Sequence, residues 1–144
     1  MVAFFGVAFA GSVDARGWVE QYDGSSILDD VRMVTTSTGY AVGNSGTILK
    51  TTDGATWLSV SNAAYSSYDF NAVDAIGETA FVVGVNHIMR TNSGGVRFDD
   101  VSPAGLTLDG SAELYGVDFV NTSIGFVVGG KTGSGIAFKT TDGG

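Results

Sequence analysis

The residues of this chain that could do chemistry are few and scattered. Two acid pairs, Asp29-Asp30 and Asp99-Asp100, offer oxygen ligands for a hard cation. Neither follows the dense DxDxDG spacing of a calcium loop, so both read as loop or strand-end charge. His87 is the only histidine and no cysteine is present, so a closed zinc site lacks its usual partners, and hydrogen bonding at the surface or between units is the simpler reading. The run Gly129-Gly130-Lys131-Thr132-Gly133-Ser134-Gly135 has the composition of a phosphate loop without the ordered GxxxxGK(S/T) signal. Zero cysteines also exclude disulfides and a cysteine nucleophile. The residues therefore point to no catalytic group, no metal and no cofactor.

Charge narrows the partners. Fifteen acids against seven bases give a net charge of -8, and the bases Arg16, Arg32, Lys50, Arg90, Arg97, Lys131 and Lys139 are dispersed. Long-range attraction to a phosphate backbone is missing, which excludes a nucleic-acid partner. The apolar run Val2 to Ala10 falls far short of the roughly 18 residues of a spanning helix, so no transmembrane association is expected. The run ends in Ala8-Phe9-Ala10, the small residues of a signal cleavage site, but no basic segment precedes it. The competing reading is a strand, because Phe5-Gly6-Val7-Ala8-Phe9 matches Tyr115-Gly116-Val117-Asp118-Phe119. The compartment stays open between cytoplasmic and exported for a soluble protein.

That match belongs to a pattern of internal repetition. Gly39-Tyr40-Ala41-Val42-Gly43 recurs as Thr79-Ala80-Phe81-Val82-Val83-Gly84 and as Gly125-Phe126-Val127-Val128-Gly129, with the final glycines 41 and 45 positions apart. Each copy is followed by a β-prone run ending in a base and a threonine: Thr47 to Thr51, His87 to Thr91, Ile136 to Thr140. A polar glycine turn comes next, then an aromatic strand around Trp57 or Phe98. A period of about 40 residues is that of a propeller blade. The first blade is expected to have strands at Val31 to Thr35, Tyr40 to Gly43, Thr47 to Thr51 and Thr56 to Val60, and the second a fourth strand at Val96 to Val101. The units span 1–30 (partial), 31–68, 69–113 and 114–144 (incomplete). In the partial unit Phe5 to Phe9, Gly17 to Val19 and Asp23 to Leu28 stand for the first three strands.

The sequence from Gly39 to Gly43, then Gly46-Thr47-Ile48-Leu49-Lys50-Thr51-Thr52-Asp53-Gly54 and Thr56-Trp57, resembles the repeat of the photosystem II assembly/stability factor family and the related sialidase-like BNR, or Asp-box, propellers. The resemblance implies an all-β fold of four-stranded antiparallel blades. It also implies a turn of the form Ser/Thr-x-Asp-x-Gly-x-Thr-Trp, in which the carboxylate accepts backbone N–H groups, glycine takes positive φ and the aromatic anchors the turn. Thr51, Asp53, Thr56 and Trp57 fit this turn with one residue fewer than the family pattern. Phe98 holds the aromatic place in the second copy, where Ser93 replaces the aspartate, and Thr140 and Asp142 open the third. These are structural turn residues.

The sialidase relatives imply an arginine cluster, a tyrosine nucleophile with a glutamate, and an acid/base carboxyl. Only Arg16, Arg32, Arg90 and Arg97, with Glu20, Glu78 and Glu113, are available to build them, and none forms a recognisable catalytic motif. Recognition fits the insertions better: Ser61 to Tyr68 carries Tyr65 and Tyr68, possible ligand-binding residues, and Ser102 to Glu113 lengthens the approach to the last unit. The reading is a noncatalytic protein- or glycan-binding scaffold, with a glycoside hydrolase completed by oligomerisation as the alternative. Three and a half units leave open edges, so closure by a homodimer of six blades, or eight, is expected.

Overall fold

A computed structural model describes residues 17–104, 106 and 111–144. Among these residues are three antiparallel sheets. The first holds β1 (Leu28–Met33), β2 (Gly39–Gly43), β3 (Thr47–Thr51) and β4 (Leu58–Ser59) in sequence order. The second repeats this order with β5 (Phe70–Ile76), β6 (Thr79–Gly84), β7 (Ile88–Thr91) and β8 (Asp99–Asp100). The third has β9 (Ala112–Phe119), β10 (Gly125–Lys131) and β11 (Ser134–Thr140), with β10 in the centre. The all-β expectation of blade-like sheets holds.

The sheets stack face to face, β5 against β1 and β2, β9 against β5 and β6. Because side chains alternate along a strand, the middle sheet must be apolar on both faces. One face of β6 sends Ala80 and Val82 into a core with Tyr40, Val42 and Ile48 of the first sheet. The other sends Val83 into a second core with Leu114 and Val127 of the third. The pairing register makes the three units superimposable by position: Tyr40 lies opposite Lys50, Phe81 opposite Arg90, and Phe126 opposite Lys139.

The recurring glycine has a steric cause. A Cβ on Gly43, Gly84 or Gly129 would overlap the carbonyl oxygen of Ile27, Asp69 or Glu113, so only glycine lets the second strand pass this close to the backbone at the start of the first.

Several boundaries differ from expectation for local reasons. The first strand runs Leu28–Met33 and not Val31 to Thr35, because the Thr35 hydroxyl accepts the N–H groups of Ser37 and Thr38 and closes a turn. The fourth strands shrink to Leu58–Ser59 and Asp99–Asp100. The start of each expected strand is held by the preceding turn, Thr56 N–H by the Asp53 carboxylate, Val96 N–H by the Ser93 carbonyl and Arg97 N–H by the Ser93 hydroxyl. β9 starts at Ala112, ahead of the expected unit start at 114. Residues 20–27 hold no strand, and Leu28, expected to end the third strand of a partial unit, opens β1. The expected strand at Phe5 to Phe9 lies outside the described residues. No helix among the described residues is long and apolar enough to cross a membrane.

Candidate functional site

In an antiparallel sheet of four strands, the first and third turns lie at one end; the second turn and the connection to the next sheet lie at the other. The structural turn residues therefore occupy one end of the stack, and Tyr65, Tyr68 and His87 the opposite end.

At the first end Asp53 Oδ1 accepts the N–H groups of Ala55 at 2.8 Å and Thr56 at 2.7 Å and the Thr51 hydroxyl at 3.1 Å. The Thr56 amide, then the Ala55 amide, hold the Asp53 carboxyl well below its ordinary range, because both bonds favour the charged form. Gly54 sits at φ 73 beside the Thr36 carbonyl. Trp57 is half-buried and its indole N–H donates to Gln21 Oε1 at 3.1 Å. In the second unit Thr91 Oγ1 receives the N–H groups of Ser93 and Gly95, as Thr51 Oγ1 receives that of Gly54, the Ser93 hydroxyl accepts Arg97 N–H, and Phe98 is buried in the first core. In the third unit Thr140 donates to Asp142 at 2.9 Å, and Asp142 accepts from Gly144 N–H. Those two contacts, the hydroxyl first, hold Asp142 below its usual value.

At the second end the insertion from Ser61 contains one 3₁₀ turn, Ala63–Tyr65, capped by Asn62. Tyr68 stacks on His87 with ring centroids 3.6 Å apart, and Tyr65 stacks on Tyr68 at 5.8 Å. The Tyr65 hydroxyl donates to the Phe98 carbonyl at 2.7 Å, and burial first, then Asp99, pushes its pKa up. His87 Nδ1 lies 2.8 Å from Asp100 Oδ2. Burial opposes ionisation of Asp100, but hydrogen bonds from Ser102 and His87 outweigh it and keep the carboxyl below its ordinary value. The result is a half-buried aromatic row with a carboxylate beside it, in which Tyr68 stacks on both His87 and Tyr65 and the Tyr65 hydroxyl is bound to the Phe98 carbonyl.

Two sets of groups fasten one sheet to the next, and the sequence disclosed neither. Lys50 Nζ donates to the Gly94 carbonyl at 2.6 Å, and Arg90 Nη1 to the Gly143 carbonyl at 2.9 Å. In the first two sheets the recurring base of the third strand thus grips the glycine turn of the following unit. On the inner strands, Asp30 Oδ2 accepts Val73 N–H at 2.9 Å, and the buried Asp74 accepts Phe119 N–H at 2.7 Å while pairing with Arg32 at 3.0 Å.

Among the described residues the arginines are engaged separately. Arg32 is committed to Asp74, Arg90 to backbone carbonyls and Arg97 to Asp99, so the described arginines form no cluster. One pair escaped the sequence reading: the Tyr115 hydroxyl donates to Glu113 Oε2 at 2.7 Å on the exposed face of β9. Two residues apart on a strand share a face, which is the signal that would have found them. The hydrogen bond to the Glu113 carboxylate stabilises the protonated phenol and raises the Tyr115 pKa. The Gly129 to Gly135 run forms the end of β10 and a hairpin turn, with Gly133 at φ 79, and no helix follows to hold a phosphate. Among the described residues no three of His, Asp and Glu come together as a metal site.

A family model described as the photosynthesis system II assembly factor YCF48 matches residues 12–104. No curated protein matches the chain. A solved structure of YCF48 bound to D1 peptide is similar with a TM-score of 0.73 at 21% identity, over 87% of this chain and 39% of that one. YCF48 from Cyanidioschyzon merolae is similar with a TM-score of 0.68 at 26% identity, over 83% of this chain and 38% of that one. The chain spans about two fifths of the length of these structures.

Proposed function

Because the chain belongs to the photosynthesis system II assembly factor YCF48 family, we propose that it is a noncatalytic scaffold that binds a polypeptide partner, a peptide of the D1 kind. The observation that carries this reading is the commitment of the polar groups. Lys50, Arg90, Asp30 and Asp74 join sheets, and Asp53 and Asp142 hold turns, so the side chains that could do chemistry instead hold a rigid frame. What the frame presents at its connector end is the row Tyr65, Tyr68 and His87, which suits packing and hydroxyl contacts with a peptide. Titration of the chain with a D1 peptide tests this: saturable binding weakened about tenfold by Tyr68→Ala supports it, and absence of binding removes it.

We also propose that the outer face of the third sheet is covered in solution by a second copy. Phe126 and Val128 are 44% and 51% exposed there, while Phe81 and Val83 at the same register in the second sheet are buried by their neighbour. Two copies about a two-fold axis would close six sheets. Sedimentation equilibrium giving twice 14.8 kDa supports the dimer, and a monomer at high concentration overturns it.

A further inference from the structure

His87 is the chain's only histidine and no cysteine is present, so the imidazole is the side chain whose type changes charge between pH 5 and 8. It stands at the tip of the hairpin between β6 and β7, where segments far apart in sequence meet. The connector before β5 lays the Tyr68 ring against the imidazole, inclined by 13° with centroids 3.6 Å apart. The fourth strand β8 brings the Asp100 carboxylate to 2.8 Å from Nδ1. The start of β9 holds the hairpin tip, the Ala112 carbonyl accepting Asn86 N–H at 2.9 Å. Nε2 has no partner among the described residues. The His87 side chain is 20% exposed and that of Asp100 42%, so both open to the surface that carries Tyr65 and Tyr68.

The other charged and titratable groups of these segments are engaged elsewhere. Asp69, in the connector, accepts Ser45 N–H at 3.0 Å, and the Tyr65 hydroxyl is bound to the Phe98 carbonyl. Asp99 on β8 pairs with Arg97, and Glu113 on β9 accepts the Tyr115 hydroxyl at 2.7 Å. Asp100 is thus the charge that faces His87. Burial opposes its ionisation, but the hydrogen bonds from Ser102 and His87 keep its carboxyl below the ordinary value, so it is ionised wherever an imidazole titrates.

Two charge states then differ at the surface. With a neutral imidazole the pair carries one negative charge, and with an imidazolium it carries none. A partner that covers the face strips water from both groups, and withdrawing a lone carboxylate from water costs far more than withdrawing a hydrogen-bonded ion pair. The stacked Tyr68 ring favours the same state, because the attraction of a cation to an aromatic face grows as water leaves. In the imidazolium Nε2 is a second N–H donor, which suits a main-chain carbonyl of an extended peptide.

We propose that the connector-end face is a proton-linked binding site: the His87 and Asp100 pair takes up a proton when a peptide covers it, so the peptide is held more tightly as the pH falls from 8 to 6. This linkage presupposes the peptide-binding reading of the same face made above and supplies its regulation. The coupling is reciprocal, and its ceiling is one proton, which corresponds to about tenfold in affinity per pH unit.

The probe is the D1 peptide of that titration in a version without histidine and acetylated at its amino terminus, so that any proton taken up is bound by the chain. Calorimetry at pH 7.5 in phosphate and in Tris, two buffers of different ionisation heat, is expected to show uptake of about 0.3 to 1 proton on binding. From pH 8 to pH 6 at matched ionic strength the dissociation constant is expected to fall at least about fivefold. His87→Gln and Asp100→Asn are each expected to bind with an affinity that does not change over this range, whatever its value. The α-amino group, which also titrates near neutrality, is common to all three chains. Because His87 is the sole histidine, its ring nitrogen shifts report the proton directly, and peptide added at pH 7.5 is expected to move them toward the imidazolium position. Saturable binding of equal affinity at pH 6 and pH 8, ring shifts that stay in place or move toward the neutral form, or a pH dependence retained by both variants would overturn the proposal and leave peptide binding standing. No saturable binding at any pH removes the peptide reading and the proposal with it.

Discussion

Lys50 on β3 reaches across to the second sheet and donates to the carbonyl oxygen of Gly94 at 2.6 Å, and Arg90 on β7 makes the same reach to Gly143 in the third. A charged donor on a backbone acceptor is the stronger kind of hydrogen bond, and here it spans two units that otherwise meet through apolar faces. Lys139, at the same register in the third sheet, has its ammonium over the Phe126 ring at 5.7 Å, as Lys50 has over Tyr40, but makes no such carbonyl bond among the described residues. Lys50→Met and Arg90→Met are each expected to cost about 1–2 kcal/mol, and Lys139→Met less than about 0.5. Urea unfolding of the three variants checks this; equal losses at all three positions would remove the inter-sheet role.

Asp74 is the most deeply committed acid, 4% exposed, with the Phe119 and Ala75 N–H groups and Arg32 as partners. Asp74→Ala leaves a buried N–H of the third sheet and a guanidinium without an acceptor, and is expected to destabilise by about 3 kcal/mol. Asp74→Asn keeps one acceptor oxygen and is expected to lose about half of that. Equilibrium denaturation of both variants orders them; a neutral alanine variant would show that the bond carries nothing.

Tyr40 presents the opposite case. Its hydroxyl is buried and has no hydrogen-bond partner, while Phe81 and Phe126 fill the equivalent register without a hydroxyl. Tyr40→Phe removes a desolvated polar atom and keeps the ring, so it is expected to stabilise the chain by about 1 kcal/mol. A rise in the urea midpoint at constant slope is the readout, and a fall would mean that the hydroxyl has a partner.

What the sequence made legible follows from which interactions carry a residue signature. Gly43, Gly84 and Gly129 were visible as a period because a side chain there collides with backbone, so only one residue type fits. The recurrence of Lys50, Arg90 and Lys139 was equally visible, but its meaning was not. The acceptors are main-chain carbonyls 44 and 53 residues away, and a carbonyl leaves no mark on the sequence. Thr35 was read by its β-branch as strand, whereas its hydroxyl makes the turn that ends β1.

The acidic turns make stability depend on pH with a definite sign. Asp53 is held below the ordinary aspartate value of 3.8 by the amides of Thr56 and Ala55, and Asp142 by Thr140 and Gly144. A carboxyl whose folded value lies below its unfolded one contributes stability that is fully present above the unfolded value and is lost as pH falls through the folded one. The melting temperature is therefore expected to be level from neutral pH to about pH 5 and to fall below about pH 4, the unfolded chain taking up protons that these turns refuse. Asp53→Ala removes one such group: its melting temperature at pH 7 is expected to be lower by about 2–5 °C, and the gap to the parent to narrow as the pH approaches 2. Asp53→Asn retains an acceptor oxygen for the Thr56 and Ala55 amides without the charge, so it is expected to fall between the two at pH 7. Thermal scans of the three proteins at matched ionic strength from pH 7 to pH 2 make the comparison. A gap that stays constant across that range would assign the Asp53 contribution to geometry alone and remove its ionisation from the account.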